Sequence, residues 1–198
     1  DAPPEEIRAE TGQMIAEIDS MTRLVNDLLF LARSDEGVPE LIRHEPVALV
    51  PILEAETTAH QVRAASAELT LVLRIESPAT VSGDADRLRQ AVRILLDNAL
   101  AYTPAGGEVT LTLSTKGNDA LIEVRDTGIG IAEEDQERVF DRFYRADRAR
   151  ARRGGGTGLG LSIAKTIVDA HHGALTLTSQ PGKGTRVVIR LPAARAES

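Results

Sequence analysis

The chain has 198 residues, room for one ordinary domain plus an appendage, and its 42% hydrophobic content supports a packed core. Aromatics make up only 3%, so that core must be aliphatic, and the absence of cysteine excludes a disulfide framework and a thiolate metal site while remaining compatible with a reducing compartment. A net charge of -7 argues against a nucleic-acid binder that works through a broad basic surface, no run approaches the ~20 apolar residues of a membrane span, and no signal peptide is visible.

Residues 5–34 read as one long helix. Ile7, Met14, Ile18, Met21, Val25, Leu28 and Ala32 recur at spacings of seven, four and three, which is a heptad seam. Ile15, Leu24, Leu29 and Leu31 widen it and favour a helical bundle over a two-stranded coiled coil. Asp1-Ala2-Pro3-Pro4-Glu5-Glu6 reads as a turn followed by helix-entry chemistry, as in the loop of a helical hairpin. Ser34-Asp35-Glu36-Gly37-Val38-Pro39 is a linker by composition.

Beyond it, residues 47–63 are amphipathic and predict a helix, 69–75 alternate as a strand, and 80–84 form a short strand and turn opening a strong helix over 85–102. Two strands follow, 109–114 and 121–125, joined by Lys116-Gly117-Asn118-Asp119. A short helix near 133–140, an Arg-rich segment, a helix over 159–171 and a terminal hairpin, 174–179 with 185–191, complete the chain. Strands joined by short turns yet interleaved with helices predict an α/β two-layer sandwich, its sheet mixed and mostly antiparallel, with helices on one face and one long helix in front.

The most informative stretch is Arg152-Arg153-Gly154-Gly155-Gly156-Thr157-Gly158-Leu159-Gly160-Leu161-Ser162, where five glycines within seven residues run into an apolar-periodic helix. Glycine lets the main chain approach a ligand closely, and a helix start offers unpaired N-H groups and a positive dipole end, so the stretch suits a phosphate. It is not a Walker A loop, because Leu161-Ser162 stand where Lys and Ser or Thr are required, nor does it fit a dinucleotide fingerprint. Asp126-Thr127-Gly128-Ile129-Gly130 follows a strand and places a carboxylate acceptor beside backbone that can lie flat on a planar ligand, although a plain Asp-initiated turn reads the same way. Asn98 lies one helical turn from Ile94 and from Tyr102, near the core edge.

The order of these segments is more specific than any one of them. Leu95-Leu96-Asp97-Asn98-Ala99, Asp126-Thr127-Gly128-Ile129-Gly130, Phe140-Asp141-Arg142-Phe143-Tyr144-Arg145, Gly156-Thr157-Gly158-Leu159-Gly160-Leu161 and Gly182-Lys183-Gly184-Thr185 resemble, in register, the N, first glycine, F, second glycine and final glycine boxes of sensor histidine kinases of two-component systems. Arg23-Leu24-Val25-Asn26-Asp27-Leu28-Leu29-Phe30-Leu31-Ala32-Arg33 resembles the second helix of that family's dimerisation and histidine-phosphotransfer hairpin. The resemblance implies a partial hairpin over 1–36, a linker over 37–44, a catalytic domain with the GHKL (Bergerat) ATP-binding fold over 45–192 and a tail over 193–198.

It also implies roles. Asn98 would bind the magnesium bridging the phosphates of ATP and serve catalysis together with Arg145, which would reach the terminal phosphate. Asp126 would accept from the adenine amine, Gly128 and Gly130 would let the base approach, and Tyr102 would pack near it. Gly156, Thr157, Gly158, Leu159, Gly160 and Leu161 would contact the phosphates, residues 145–156 would form a lid, and Phe140 and Phe143 would anchor it in the core. Two positions depart from the family: Ile94 stands where a second Asn is common, and Ala101 where a Lys can contact phosphate.

The family's acceptor histidine sits in a His-Glu/Asp-X-X-X-Pro-like motif, which this sequence lacks. His44 beside Glu45 and Pro46 has no hairpin context, and His60, His171 and His172 belong to or end helices. The expectation is a part of a sensor kinase that binds Mg-ATP without phosphorylating itself. The implied partners are a response regulator and a second copy of the parent through the hairpin, with no nucleic acid and no membrane contact for this part. Its implied location is the cytoplasmic portion of a membrane-anchored sensor. The alternatives are another ATPase of the same superfamily, or a docking module that has lost nucleotide binding.

Overall fold

In the computed structural model the chain divides into two compact units, Asp1–Leu41 and Ile42–Ser198. The structure describes residues 42–145 and 157–194 and, in the first unit, Met14, Ile18, Met21, Thr22 and residues 24–34. The expected helix entry at 1–6, residues 37–41 of the expected linker over 37–44, residues 146–156 of the expected lid with Gly156 and the tail beyond 194 lie outside the described residues.

In the first unit, residues 24–34 form helix α1, and Met14, Ile18 and Met21 before it are also helical. Met14, Ile18, Met21, Val25 and Leu28, spaced four, three, four and three apart, are all exposed. This is the heptad seam read from the sequence, open along its length among the described residues.

The second unit is built on a five-stranded sheet. Its members are β2 (Thr70–Ile75), β4 (Glu108–Lys116), β5 (Asp119–Asp126), β6 (Ala174–Gln180) and β7 (Gly184–Pro192), in the order β2-β4-β5-β7-β6. Only β2 and β4 run parallel; the other three pairs are antiparallel. Register aligns Leu73, Leu111, Val124, Val187 and Leu177 in one row across the sheet and Ile75, Leu113, Ile122, Ile189 and Leu175 in another. In β4 the buried residues Val109, Leu111 and Leu113 alternate with Thr110, Thr112 and Ser114, so one face is apolar and the other polar. Ion pairs such as Arg186 to Glu123 (2.6 Å) lie on the polar face.

Helices α2 (Leu49–Ser66), α3 (Ala85–Tyr102) and α5 (Gly160–Ala170) cover the apolar face. In α3 the buried stripe Leu88, Val92, Leu95 and Ala99 faces the sheet, and α5 packs beside it through Ile163, Ile167 and Val168. Asp84 starts α3 by accepting from the backbone N-H of Asp86 (3.0 Å) and Arg87 (3.2 Å), satisfying two donors that the helix cannot pair internally.

Two expectations need correction. The amphipathic stretch does not begin as helix at Val47. Glu45–Ala48 form a strand, β1, paired antiparallel with β3 (Thr80–Gly83). Pro46 pushes Glu45 toward extended backbone, and Val47 is buried on the strand. The strand at 80–83 thus joins a separate two-stranded ribbon and is not a member of the main sheet. Phe143, expected in the core, is 64% exposed, because its backbone turns through φ 62° and carries the side chain outward.

Candidate functional site

Between α3, the start of α5, the short helix α4 (Glu133–Gln136) and the sheet lies a cavity of about 530 Å³. Its sheet wall is Val124, Val187 and Leu177, three members of one cross-strand row. Its helical wall is Ile94, Asn98 and Tyr102, one α3 residue per turn, and Gly158, Gly160 and Leu161 close it at the start of α5. Its lining mixes this apolar surface with Asn98, Asp126, Glu134, Asp135 and Arg145, so it offers a ligand both apolar walls and charged groups.

Asp126 ends β5 and is 8% exposed. Its Oδ1 accepts from the backbone N-H of Gly128 (2.8 Å) and of Thr185 (3.1 Å). Oδ2 has no protein donor among the described residues. Burial pushes the carboxyl above the usual aspartate range, and the two N-H donors pull it part of the way back. The turn beyond is fixed on both sides: Ile129 donates to the Tyr102 carbonyl (3.2 Å), and Gly182 donates to the Ile129 carbonyl (2.8 Å). Gly184 crosses so close to Asp126, at φ +93°, that an added Cβ would stand 1.9 Å from the Asp126 carbonyl oxygen.

Asn98 is half-buried on α3, next to Asp97. Asp97 receives the guanidinium of Arg63 and faces His60 Nε2 at 3.4 Å. Burial alone would raise the Asp97 carboxyl, but the His60 and Arg63 contacts outweigh it and hold it below its ordinary value. In turn Asp97, aided by the Glu56 carbonyl and carboxylate, lifts His60 above the ordinary imidazole value against its burial. This cluster ties α2 to α3 at the turn that carries Asn98.

The cavity gathers Asn98, Tyr102, Asp126, Gly130, Arg145, Thr157, Gly158, Gly160 and Leu161 from the residues singled out in the sequence. Gly128 does not line it. Its N-H holds Asp126, and a side chain there would meet the Tyr102 carbonyl oxygen at 2.5 Å. Nor does Leu159, whose side chain is 1% exposed and belongs to the core. Glu134, Asp135, Tyr144, Leu177, Pro181, Thr185 and Val187 also line the cavity, and none was singled out for a role. Strand alternation could have flagged Leu177 and Val187 as inward; the backbone role of Thr185 has no side-chain signature.

A one-sided α/β sandwich with a cavity at a glycine-bearing helix start has the layout of a class of ligand-binding domains, and its relatives say which. Residues 83–195 match the family described as histidine kinase-, DNA gyrase B-, and HSP90-like ATPase, and the chain belongs to that family. Within it, the similarity runs to sensor histidine kinases. The chain is 36% identical over 189 residues to the sensor-like histidine kinase SenX3 of Mycolicibacterium smegmatis, covering 96% of this chain and 49% of SenX3. It superposes on the mycobacterial sensor histidine kinase MprB with a TM-score of 0.69 at 32% identity, over 77% of this chain and 100% of that one. On full-length ShkA, solved in complex with AMPPNP, the TM-score is 0.81 at 30% identity, over 98% of this chain and 40% of that one. These likenesses place the second unit in the part of the chain that sensor histidine kinases share with the wider ATPase family. The chain spans about half, or less, of the length of the curated relatives it matches.

Proposed function

We propose that the cavity binds Mg-ATP and that the chain is the nucleotide-binding part of a protein-histidine kinase, passing the terminal phosphate to a histidine for onward transfer to a response-regulator aspartate. The observation that carries this reading is the placement of Asp126 and Asn98 in one cavity whose far wall is the glycine-bearing start of α5. Asp126 Oδ2 accepts from the adenine amine. Tyr102 packs along the base. Gly158 and Gly160 bring backbone to the phosphates, and Thr157 and Leu161 flank them.

The donor set fits magnesium carried in with the nucleotide. Among the described residues no group of three or more His, Asp or Glu is arranged to hold a metal. Asn98 offers a single hard amide oxygen that would hold the ion. When bound, the ion neutralises phosphate charge; Arg145 adds positive charge at the transferred group, and transfer then depends on positioning and electrostatics.

The four histidines of the chain are poor acceptors. His60 and His171 are buried with both ring nitrogens engaged, and His44 and His172 stack on each other with ring centroids 5.9 Å apart. The acceptor then belongs to another helix of a hairpin that pairs with α1, through which the parent dimerises. No described helix is long and apolar enough to cross a membrane. We place this part on the cytoplasmic side of an anchored sensor.

Calorimetry with Mg-ATP tests binding, and labelled ATP with a hairpin bearing the histidine motif tests transfer. Saturable binding and acid-labile label on the hairpin alone are expected. No heat at millimolar nucleotide, or robust label on His44, His60, His171 or His172, would overturn the reading.

A further inference from the structure

We infer that Tyr144 and Asp135 are positioning residues that fix where Arg145 stands, so that the terminal phosphate, and not the rest of the nucleotide, is what they serve. This rests on the reading of Arg145 given above. Tyr144 donates its hydroxyl to Asp135 Oδ1 at 2.5 Å, and the guanidinium of Arg138 lies over its ring, 4.3 Å from the centroid. Tyrosine has only two side-chain torsions, and a bonded hydroxyl with a cation on the ring face fixes both.

Asp135 is itself held. It sits on α4, where Gln136 Nε2 donates to the Ser179 carbonyl of β6 (2.9 Å) and to the Ile131 carbonyl (3.3 Å), while Ser179 Oγ accepts from the Ile131 N-H (2.8 Å). A run of hydrogen bonds therefore leads from the sheet edge through α4 to Tyr144, whose neighbour in sequence is Arg145. From the other side, Phe143 donates its N-H to the Gly158 carbonyl (2.9 Å). Gly158, at φ +73°, packs so closely that an added Cβ would stand 2.8 Å from the Phe143 carbonyl carbon. The backbone before Arg145 is thus gripped between the sheet edge and the phosphate-side glycines. An arginine has large rotamer freedom, and fixing its base lowers the entropy lost when the guanidinium meets an anion.

On that reading Arg145 serves the terminal phosphate, which ATP has and ADP lacks, so the readout is a ratio. Mg-bound nonhydrolysable ATP analogue and Mg-ADP are titrated calorimetrically into the chain. Arg145→Ala sets the reference loss for the analogue. Tyr144→Phe keeps the ring and its cation and removes one hydrogen bond. It should weaken the analogue about 3- to 10-fold and ADP less than about twofold. Asp135→Leu should do the same, whereas Asp135→Asn, which keeps an acceptor for the hydroxyl, should restore the wild-type ratio. If Arg145→Ala is selective for the analogue but Tyr144→Phe and Asp135→Leu leave the ratio unchanged, the positioning role is wrong while the Arg145 reading stands. If Arg145→Ala shifts both nucleotides equally or neither, the Arg145 reading fails and the inference fails with it. Equal losses for both nucleotides in Tyr144→Phe would mark a merely structural role and overturn the inference.

Discussion

If Asp126 meets the adenine amine as proposed, replacing it with Asn changes one acceptor into a donor where the base would sit and leaves the rest of the group nearly intact. Oδ1 already accepts from the Gly128 and Thr185 backbone N-H groups, and the Asn amide oxygen can keep both bonds. The Asn NH2 then takes the place of Oδ2 and opposes the adenine amine, donor against donor. A hydrogen bond to a charged acceptor contributes about 1.5–3 kcal/mol, so its loss alone weakens ATP about 10- to 150-fold, and the opposed donors add to that. Stability should change by less than about 1 kcal/mol, since no buried partner is left unpaired and a buried charge is removed. Asp126→Ala differs: it orphans two N-H donors and should destabilise the fold by about 2–5 kcal/mol.

The assay is calorimetry with Mg-ATP and Mg-ITP beside chemical unfolding. An inosine base carries an acceptor where adenine has its amine, so Asp126→Asn should raise the preference for ITP over ATP. The wild type should also lose ATP affinity as pH falls through the raised Asp126 value, where the ionised acceptor disappears, and the Asn variant should be flat there. For folding the sign is reversed. A carboxyl raised by burial destabilises the fold while ionised, and that penalty fades as pH falls through the raised folded value toward the ordinary one. The reasoning is refuted if Asp126→Asn binds ATP within about threefold of wild type, or if its nucleotide preference does not move toward ITP.

Gly184→Ala should destabilise the fold by about 2–3 kcal/mol and weaken ATP, because its Cβ would drive into the Asp126 carbonyl; Gly182→Ala, at φ +75° with open space, should show only the backbone strain of about 1 kcal/mol, as unfolding curves will read. Asp84→Ala should lose about 1–2 kcal/mol by uncapping α3, and Asp84→Asn most of that back, measured the same way. The buried histidines should give opposite pH slopes. The Asp97 bond to His60 contributes fully below the ordinary imidazole value and is lost as pH rises through the raised one, so His60→Gln should flatten stability across that interval. Burial lowers His171, whose Nε2 accepts from the Asp84 N-H; its contribution is complete above the ordinary value and lost as pH falls through the lowered one, so His171→Gln should flatten the acid side.

Period and turn chemistry made most of the second unit legible. Alternation along 109–114 and 121–125 reported a sheet wet on one side, and the 85–102 stripe reported the helix on its other face. The ribbon escaped because Val47 also fits a helical pattern, and a four-residue strand has too few positions to separate the two periods. Parallel pairing of β2 with β4 was equally hidden, since it brings together strands separated by a whole helix. Among the cavity-lining residues, side chains whose chemistry is unusual at their positions were visible: Asn98 on a helix, Asp126 at a strand end. Main-chain donors other than the glycines were not. Thr185 contributes an N-H to the Asp126 carboxylate, and the Gly128 N-H does the same where room for the base was expected.

That difference bears on how the site is built. Asp126 is aimed by donors from two separate segments, the turn after β5 and the start of β7, and both are pinned by backbone bonds to neighbours, Ile129 to Tyr102 and Gly182 to Ile129. Tyr102 ends the helix that carries Asn98, so the loop that aims the carboxylate is tied to the helix that presents the amide. A side chain held only by its own rotamer could drift by an ångström without unfolding anything. Here the Asp126 end and the Asn98 end of the cavity share α3 as a common rod, and a shift at one end must strain a backbone hydrogen bond before it reaches the other.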